Sequence, residues 1–177
     1  MACVLTSAIA LDCTDDFAGI KNIYVSEFDN IDATATVITA GVVTTLTQVA
    51  LTNFFKYTLR QGNGSFVTTP TKSTENGSLF FETVGQFSVL KLTAAKNVEF
   101  RLLLANRCVV ILEDFNGKYW IVGLENGAEF GVGGTTDAMS GLAAGDKYGY
   151  SLGMTARETT YVPELDSTVF AGLTITS

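Results

Sequence analysis

Residues 108–132 read CVVILEDFNGKYWIVGLENGAEFGV, and this stretch decides the fold class. Two apolar runs, Cys108–Phe115 and Lys118–Glu125, flank Asn116-Gly117, and a second Asn-Gly, Asn126-Gly127, precedes Ala128–Val132. Asn-Gly readily takes positive φ at both central positions of a type I′ turn, whose twist suits the strands on either side. The spacing therefore predicts a three-stranded antiparallel meander, with Trp120 as a core residue of its middle strand.

Upstream, Lys21–Phe28 predicts a strand with Ile23 and Val25 on one face and Tyr24 and Phe28 on the other. Ala35–Val49 predicts two short Thr/Val strands turning at Ala40-Gly41. Phe54–Arg60 (FFKYTLR) and Leu79–Leu92 (LFFETVGQFSVLKL) predict two further strands that pair antiparallel. In the second, Leu79, Phe81, Phe87 and Val89 share one face and Glu82, Gln86 and Ser88 the other. The polar segment between them is too long for a tight hairpin. It predicts a projecting β-hairpin arm with a mobile tip, the whole arm spanning 54–92. Gln61, Asn63, Phe66, Lys72, Glu75 and Asn76 are its candidate inter-subunit contacts.

Thr93–Ala105 is the one helix expected. Thr93 is a suitable N-cap, Ala95, Val98, Leu102 and Ala105 form an i, i+3/i+4 stripe, and Asn106 can end the helix in a left-handed conformation. Gly133–Asp146 predicts a flexible loop. Lys147–Arg157 alternates, with Tyr148, Tyr150, Leu152, Met154 and Ala156 inward and Lys147, Ser151, Thr155 and Arg157 outward. After a turn at Val162-Pro163 a last strand is expected over Thr168–Ile175. The fold class is mainly β: a β-sandwich or barrel-like domain over residues 1–177, with one packed α-helix and the long arm.

Composition narrows the function. Charged residues make up 16% of the chain, below the typical quarter, so much of the surface is Thr, Ser, Asn and Gly. The net charge of −7, with eleven scattered Lys and Arg, argues against a surface that grips nucleic acid. There is no histidine, which removes the usual general base and the commonest metal ligand. Cys3, Cys13 and Cys108 match no metal-binding spacing. Cys108 opens an apolar run as a core thiol, and Cys3 and Cys13 are expected to stay reduced. The opening MACVLTSAIALDC has the outline of a lipoprotein leader. It lacks a basic start, and Asp12 occupies the position where a small residue is required. No apolar run is long enough to span a membrane.

The remaining chemistry is thin. Glu113 and Asp114 are strand neighbours that point to opposite faces, so they read as turn-flanking solubilisers and not as an acid pair. Asp12, Asp15 and Asp16 lack the alternating spacing and closing Glu of a calcium loop. Gly131–Thr136 lacks the Gly-Lys-Thr ending of a phosphate loop. Without histidine only a Ser-Lys nucleophile remains, and every lysine is explained by its local context. The expectation is a protein that is not an enzyme and uses no cofactor or metal.

Several segments, in order, are similar to small virion proteins of phages that infect Bacteroidetes, including crAss-like phages. They are A-C-x-L-T-S-x-x-x-L-D-C and G-I-K-x-I-Y-V within Ala2–Val25, FFKYTL (54–59), ENGSLFFE (75–82), EDFNGKYWIVG (113–123) and GDKYGYSL (145–152). The resemblance implies a tail tube or tail ring protein in the virion, assembled in the host cytoplasm. Its partners would be itself in six or twelve copies, neighbouring tail or connector proteins, and DNA in transit, with no membrane. An acidic lumen would repel passing phosphates. A capsid decoration or head-completion protein is the alternative within the virion. A carbohydrate-binding module using Trp120 and Tyr119 is the alternative outside it.

Overall fold

The computed structural model describes residue 9 and residues 16–176. Thirteen strands and two α-helices follow in chain order: β1 (Ile20–Glu27), β2 (Ile31–Thr39), β3 (Val42–Gln48), β4 (Phe54–Thr58), β5 (Gly64–Ser73), β6 (Ser78–Leu90), α1 (Ala94–Ala105), β7 (Arg107–Asp114), β8 (Tyr119–Val122), β9 (Ala128–Phe130), β10 (Asp137–Met139), β11 (Gly149–Glu158), β12 (Glu164–Leu165), α2 (Ser167–Ala171) and β13 (Ile175–Thr176). They form one open, mixed sheet running β2-β3-β12-β8-β7-β9-β11-β6-β5, with β1, β4, β10 and β13 attached as branches. Parallel pairing is confined to β12 with β3 and β13 with β4.

The sheet is built around β7, which is buried on both faces. Cys108, Val110 and Leu112 enter one apolar cluster with Ile23, Val25, Phe87, Leu152 and Met154. Val109 and Ile111 enter a second cluster with Tyr24, Val43, Phe54, Ile121 and Leu165. The alternation expected of β1 holds, because Ile23 and Val25 go to the first cluster and Tyr24 to the second. In β11, Tyr150, Leu152, Met154 and Ala156 point into the first cluster as expected. Tyr148 precedes the strand and is half exposed, while Ser151 and Thr155, expected outward, are buried. The segment from Val132 to Met139 covers them.

The meander is half right. β7 and β8 form the expected hairpin. Only Gly117 has positive φ there (80°), so the turn is not type I′. Asp114 Oδ1 accepts from the backbone N–H groups of Asn116 and Lys118. The left-handed glycine closes a longer loop of the bulged hairpin kind. Positive φ at two successive turn residues occurs instead at Ala40 (52°) and Gly41 (83°), between β2 and β3. Asn126-Gly127 makes no hairpin at all. β9 continues in the direction of β8 along the same edge of β7, pairing Cys108 with Ala128, and also pairs with β11. A Cβ on Gly123 (φ 88°) would lie 2.7 Å from the Cys108 carbonyl oxygen, so the glycine lets the chain leave the ladder and return to it.

Other expectations are corrected. β4 pairs with β1 and β13, not with β6. β6 pairs with β11 on one side and on the other with β5, which comes from within the segment expected to be the arm. Thr93 caps α1 by accepting from the Lys96 N–H at 3.3 Å, but Asn106 is extended (φ −112°) and not left-handed. The buried residues of α1 are Phe100 and Leu103, so the Ala95/Val98/Leu102/Ala105 stripe faces outward. Phe100 wins the core because its ring meets Tyr150 edge-on at 4.7 Å between centroids, a contact no smaller side chain of the stripe could make. The expected last strand is mostly α2, capped by Asp166, whose Oδ1 accepts from the Thr168 N–H and hydroxyl. Half of the expected flexible loop is pinned: Gln86 exchanges hydrogen bonds with the Thr135 backbone, and β10 pairs with β11. No helix among the described residues is long and apolar enough to cross a membrane.

Candidate functional site

The main sheet path ends in two edge strands, β2 and β5, and the chain treats them differently. At β2 the ladder with β3 skips from Asp32↔Thr47 to Val37↔Thr45. Asp32 Oδ1 organises this bulge by accepting from the Thr34 N–H and hydroxyl and from the Ala35 N–H. A bulged edge is a poor template for another strand. At the other end β5 pairs with β6 without a break from Gly64↔Phe87 to Ser73↔Ser78, and among the described residues no strand lies on its outer side. Its one irregular residue is Pro70, which lacks the N–H that a further strand would use and is tolerated on an edge.

The six candidate contact residues fall on or beside this hairpin but do not form one surface. Lys72, Glu75 and Asn76 cluster at its exposed end, Lys72 opposite Leu79 and the other two in the turn. Gln61 is exposed near the root. Asn63 is structural, since its carbonyl accepts from the Ser88 N–H at 2.7 Å. Phe66 is half-buried against the first apolar cluster, its ring 6.4 Å from that of Trp120. The root is held by a close approach at Gly64, where a Cβ would meet Leu59 Cδ1 at 2.6 Å and Ile20 Cβ at 3.1 Å.

A second surface went unread in the sequence. The outward stripe of α1 leaves Val98 and Leu102 more than half exposed. Beside Leu102, the helix and strands β1 and β4 border a shallow groove in which Phe55 is also part-exposed. Glu27 and Glu99 stand in its wall, and Glu99 accepts from the Tyr57 hydroxyl at 3.1 Å. The stripe itself was the available clue, taken for the packing face.

The carboxylates read as solubilisers include one that is buried. Glu113 Oε2 accepts from the Tyr24 hydroxyl at 2.6 Å and from Asn22 Nδ2 at 2.7 Å, while Lys21 Nζ donates to Oε1 at 3.0 Å. Burial alone would raise its pKa, but the bonds from Tyr24, Asn22 and Lys21 outweigh it and hold the carboxyl below its ordinary range. Burial and the same carboxylate push the Tyr24 hydroxyl well up. Asp114 does flank the turn, and its Oδ2 accepts from Trp120 Nε1 at 3.1 Å. Trp120 is half-buried on the first cluster as expected.

Glu158, not singled out in the sequence, accepts at Oε1 from the N–H groups of Gly123, Leu124 and Glu125 at 3.0, 2.7 and 3.4 Å. Desolvation outweighs those bonds and raises its pKa, with Glu125 adding to the rise. Lys147 Nζ donates to Ser88 Oγ at 2.7 Å and Ser151 Oγ at 2.5 Å. These two bonds tether β6 to β11, with the lysine as donor to both hydroxyls. Burial pushes the Cys108 thiol up to about 12, the behaviour of an inert core cysteine. Among the described residues no group of three or more Cys, Asp or Glu could hold a metal ion. Cys3, Cys13, Asp12 and Asp15 lie outside the described residues.

The described residues thus define a mainly β chain with an edge strand in unbroken register, an exposed hairpin end and a solvent-facing helix stripe. No family model, curated protein or solved structure matches this chain.

Proposed function

We propose that the chain is a structural protein of a tailed-phage virion that forms rings of the tail tube or tail barrel around the DNA channel. In this reading the sheet is the barrel-like or sandwich-like body of each subunit, and the β5–β6 hairpin is the arm that reaches a neighbour. Ten β5 residues in unbroken register, with no further strand of the described residues on their outer side, carry the proposal. Such an edge is a template for pairing with another chain, and a closed ring uses it up in a controlled way. The light charge and net −7 support the same reading: few charges need desolvating at contacts, and an acidic lumen repels DNA.

Light scattering on the purified chain, followed by negative-stain imaging, tests this. Rings or short tubes are expected, and replacing 69–79 with a short Gly-Ser turn should leave a folded monomer. A wild-type chain that stays monomeric at every concentration overturns the proposal.

A further inference from the structure

The outward stripe of α1 borders a groove of about 180 Å³, the size of aliphatic cavity that accepts a benzene-sized guest. Val25, Leu103 and Cys108 lie at its apolar floor, and Leu102, 54% exposed, stands at its edge. The carboxylates of Glu27 and Glu99 share the wall, and neither has an ion-pair partner among the described residues. The exposed end of the β5–β6 hairpin sets an apolar residue beside a cation, with its one carboxylate, Glu75, further out in the turn. Leu79 is 53% exposed, and Lys72 lies directly opposite it across the ladder, so both side chains project from one face. Lys72 likewise has no ion-pair partner among the described residues.

We infer that the groove between α1 and β4 is the seat for the hairpin end of a second copy of this chain, with Leu79 entering the apolar floor and Lys72 pairing with Glu99. The inference rests on the ring-forming reading above and names its receiving surface. The apolar floor gains from excluding water around an aliphatic side chain. The carboxylates favour the Lys72 ammonium that stands beside that side chain. Donor and acceptor surfaces are different parts of the chain, so each copy offers one of each and the contact is head-to-tail, the type that closes rings. The seat is small beside the roughly 800 Å² per partner of a stable interface, so the β5 edge supplies further contact.

The test combines crosslinking with charge exchange. Leu79→Cys and Leu102→Cys are introduced together with Cys3→Ser, Cys13→Ser and Cys108→Ala, which removes the thiol of the groove floor, and oxidised in air with catalytic copper. A ladder of covalent oligomers is expected only when both new cysteines are present. Lys72→Glu should weaken assembly by about tenfold or more, and adding Glu99→Lys should restore it, with the circular dichroism spectrum unchanged in both. A chain that assembles but gives neither ladder nor charge rescue overturns the seat while leaving the ring reading intact. A wild-type chain that never assembles overturns both.

Discussion

Glu113 and Glu158 are nearly equally sealed from solvent, at 7% and 5% exposed, yet the protein solves the two burials in opposite ways. Around Glu113 the donors are side chains, one of them the cation Lys21, and they favour the ionised form. Around Glu158 the donors are backbone N–H groups of the chain leaving β8, and burial dominates, so its pKa lies above the ordinary carboxylate value. The first carboxylate is held as a charge. The second is a backbone organiser, filling the acceptor role left vacant where the ladder of β7 is interrupted between Val122 and Ala128. Glu158 also lies deeper below the surface than Glu113, so depth and the kind of donor together separate the two carboxylates.

The sharpest break of this comparison is Glu158→Ala. It leaves the N–H groups of Gly123 and Leu124 buried without an acceptor and should cost about 3 kcal/mol in urea unfolding; a loss under about 1 kcal/mol would show that the loop finds other acceptors. Glutamine then separates the two sites. Glu158→Gln keeps a carbonyl acceptor and removes a charge that burial disfavours, so stability should stay within about 0.5 kcal/mol of wild type. Glu113→Gln loses the charge that Lys21, Asn22 and Tyr24 are arranged around and should cost about 1.5 kcal/mol. Equal effects at both positions would erase the distinction. Tyr24→Phe removes one hydrogen bond to Glu113 and should cost about 1 kcal/mol, an effect that disappears in the Glu113→Gln background if the two act together.

Acid titration sharpens the contrast further, because the two groups have opposite signs. Glu113 has a depressed folded-state pKa, so its stabilisation is present above its ordinary value of 4.5 and is lost as pH falls through the depressed value. The stability gap between wild type and Glu113→Gln should therefore shrink on acidification. Glu158 has a raised folded-state pKa, so its favourable share is complete below 4.5 and is lost as pH rises through the raised value. The gap between wild type and Glu158→Gln should move against wild type over that rise. Denaturant midpoints from pH 3 to pH 8, taken in parallel for the two variants, read both slopes.

The same two residues show how far the sequence could be read. Glu113 stood in plain view beside a turn, and adjacent strand positions correctly placed Glu113 and Asp114 on opposite faces. Nothing local revealed that β1 would lie along β7 and bring Lys21, Asn22 and Tyr24 to it, some ninety residues away in the chain. Glu158 gave less warning still, because its partners are backbone amides of a segment read as a hairpin. The arm shows the same division. Its hairpin nature and polar end were legible in residues 61–78, but the pairing partner of Leu79–Leu92 was assigned to Phe54–Arg60 when both were apolar enough to pair.

By itself the sequence determined the mainly β character, the strands at 20–27, 42–48, 107–114 and 149–158, the Thr93 cap and the scarcity of catalytic groups. These rest on period-two alternation, β-branched content and local hydrogen bonding, which act between near neighbours. Beyond the β2–β3 and β7–β8 hairpins, tertiary structure alone decided which strand lies beside which, which face of α1 enters the core and which carboxylates are sealed away. The physical reason is that β7 is apolar on both faces and α1 carries two apolar strips, so local patterning admits more than one solution. Competition among distant side chains for the same core volume selects between them, as Phe100 against Tyr150 displaced Val98 and Leu102 to the surface.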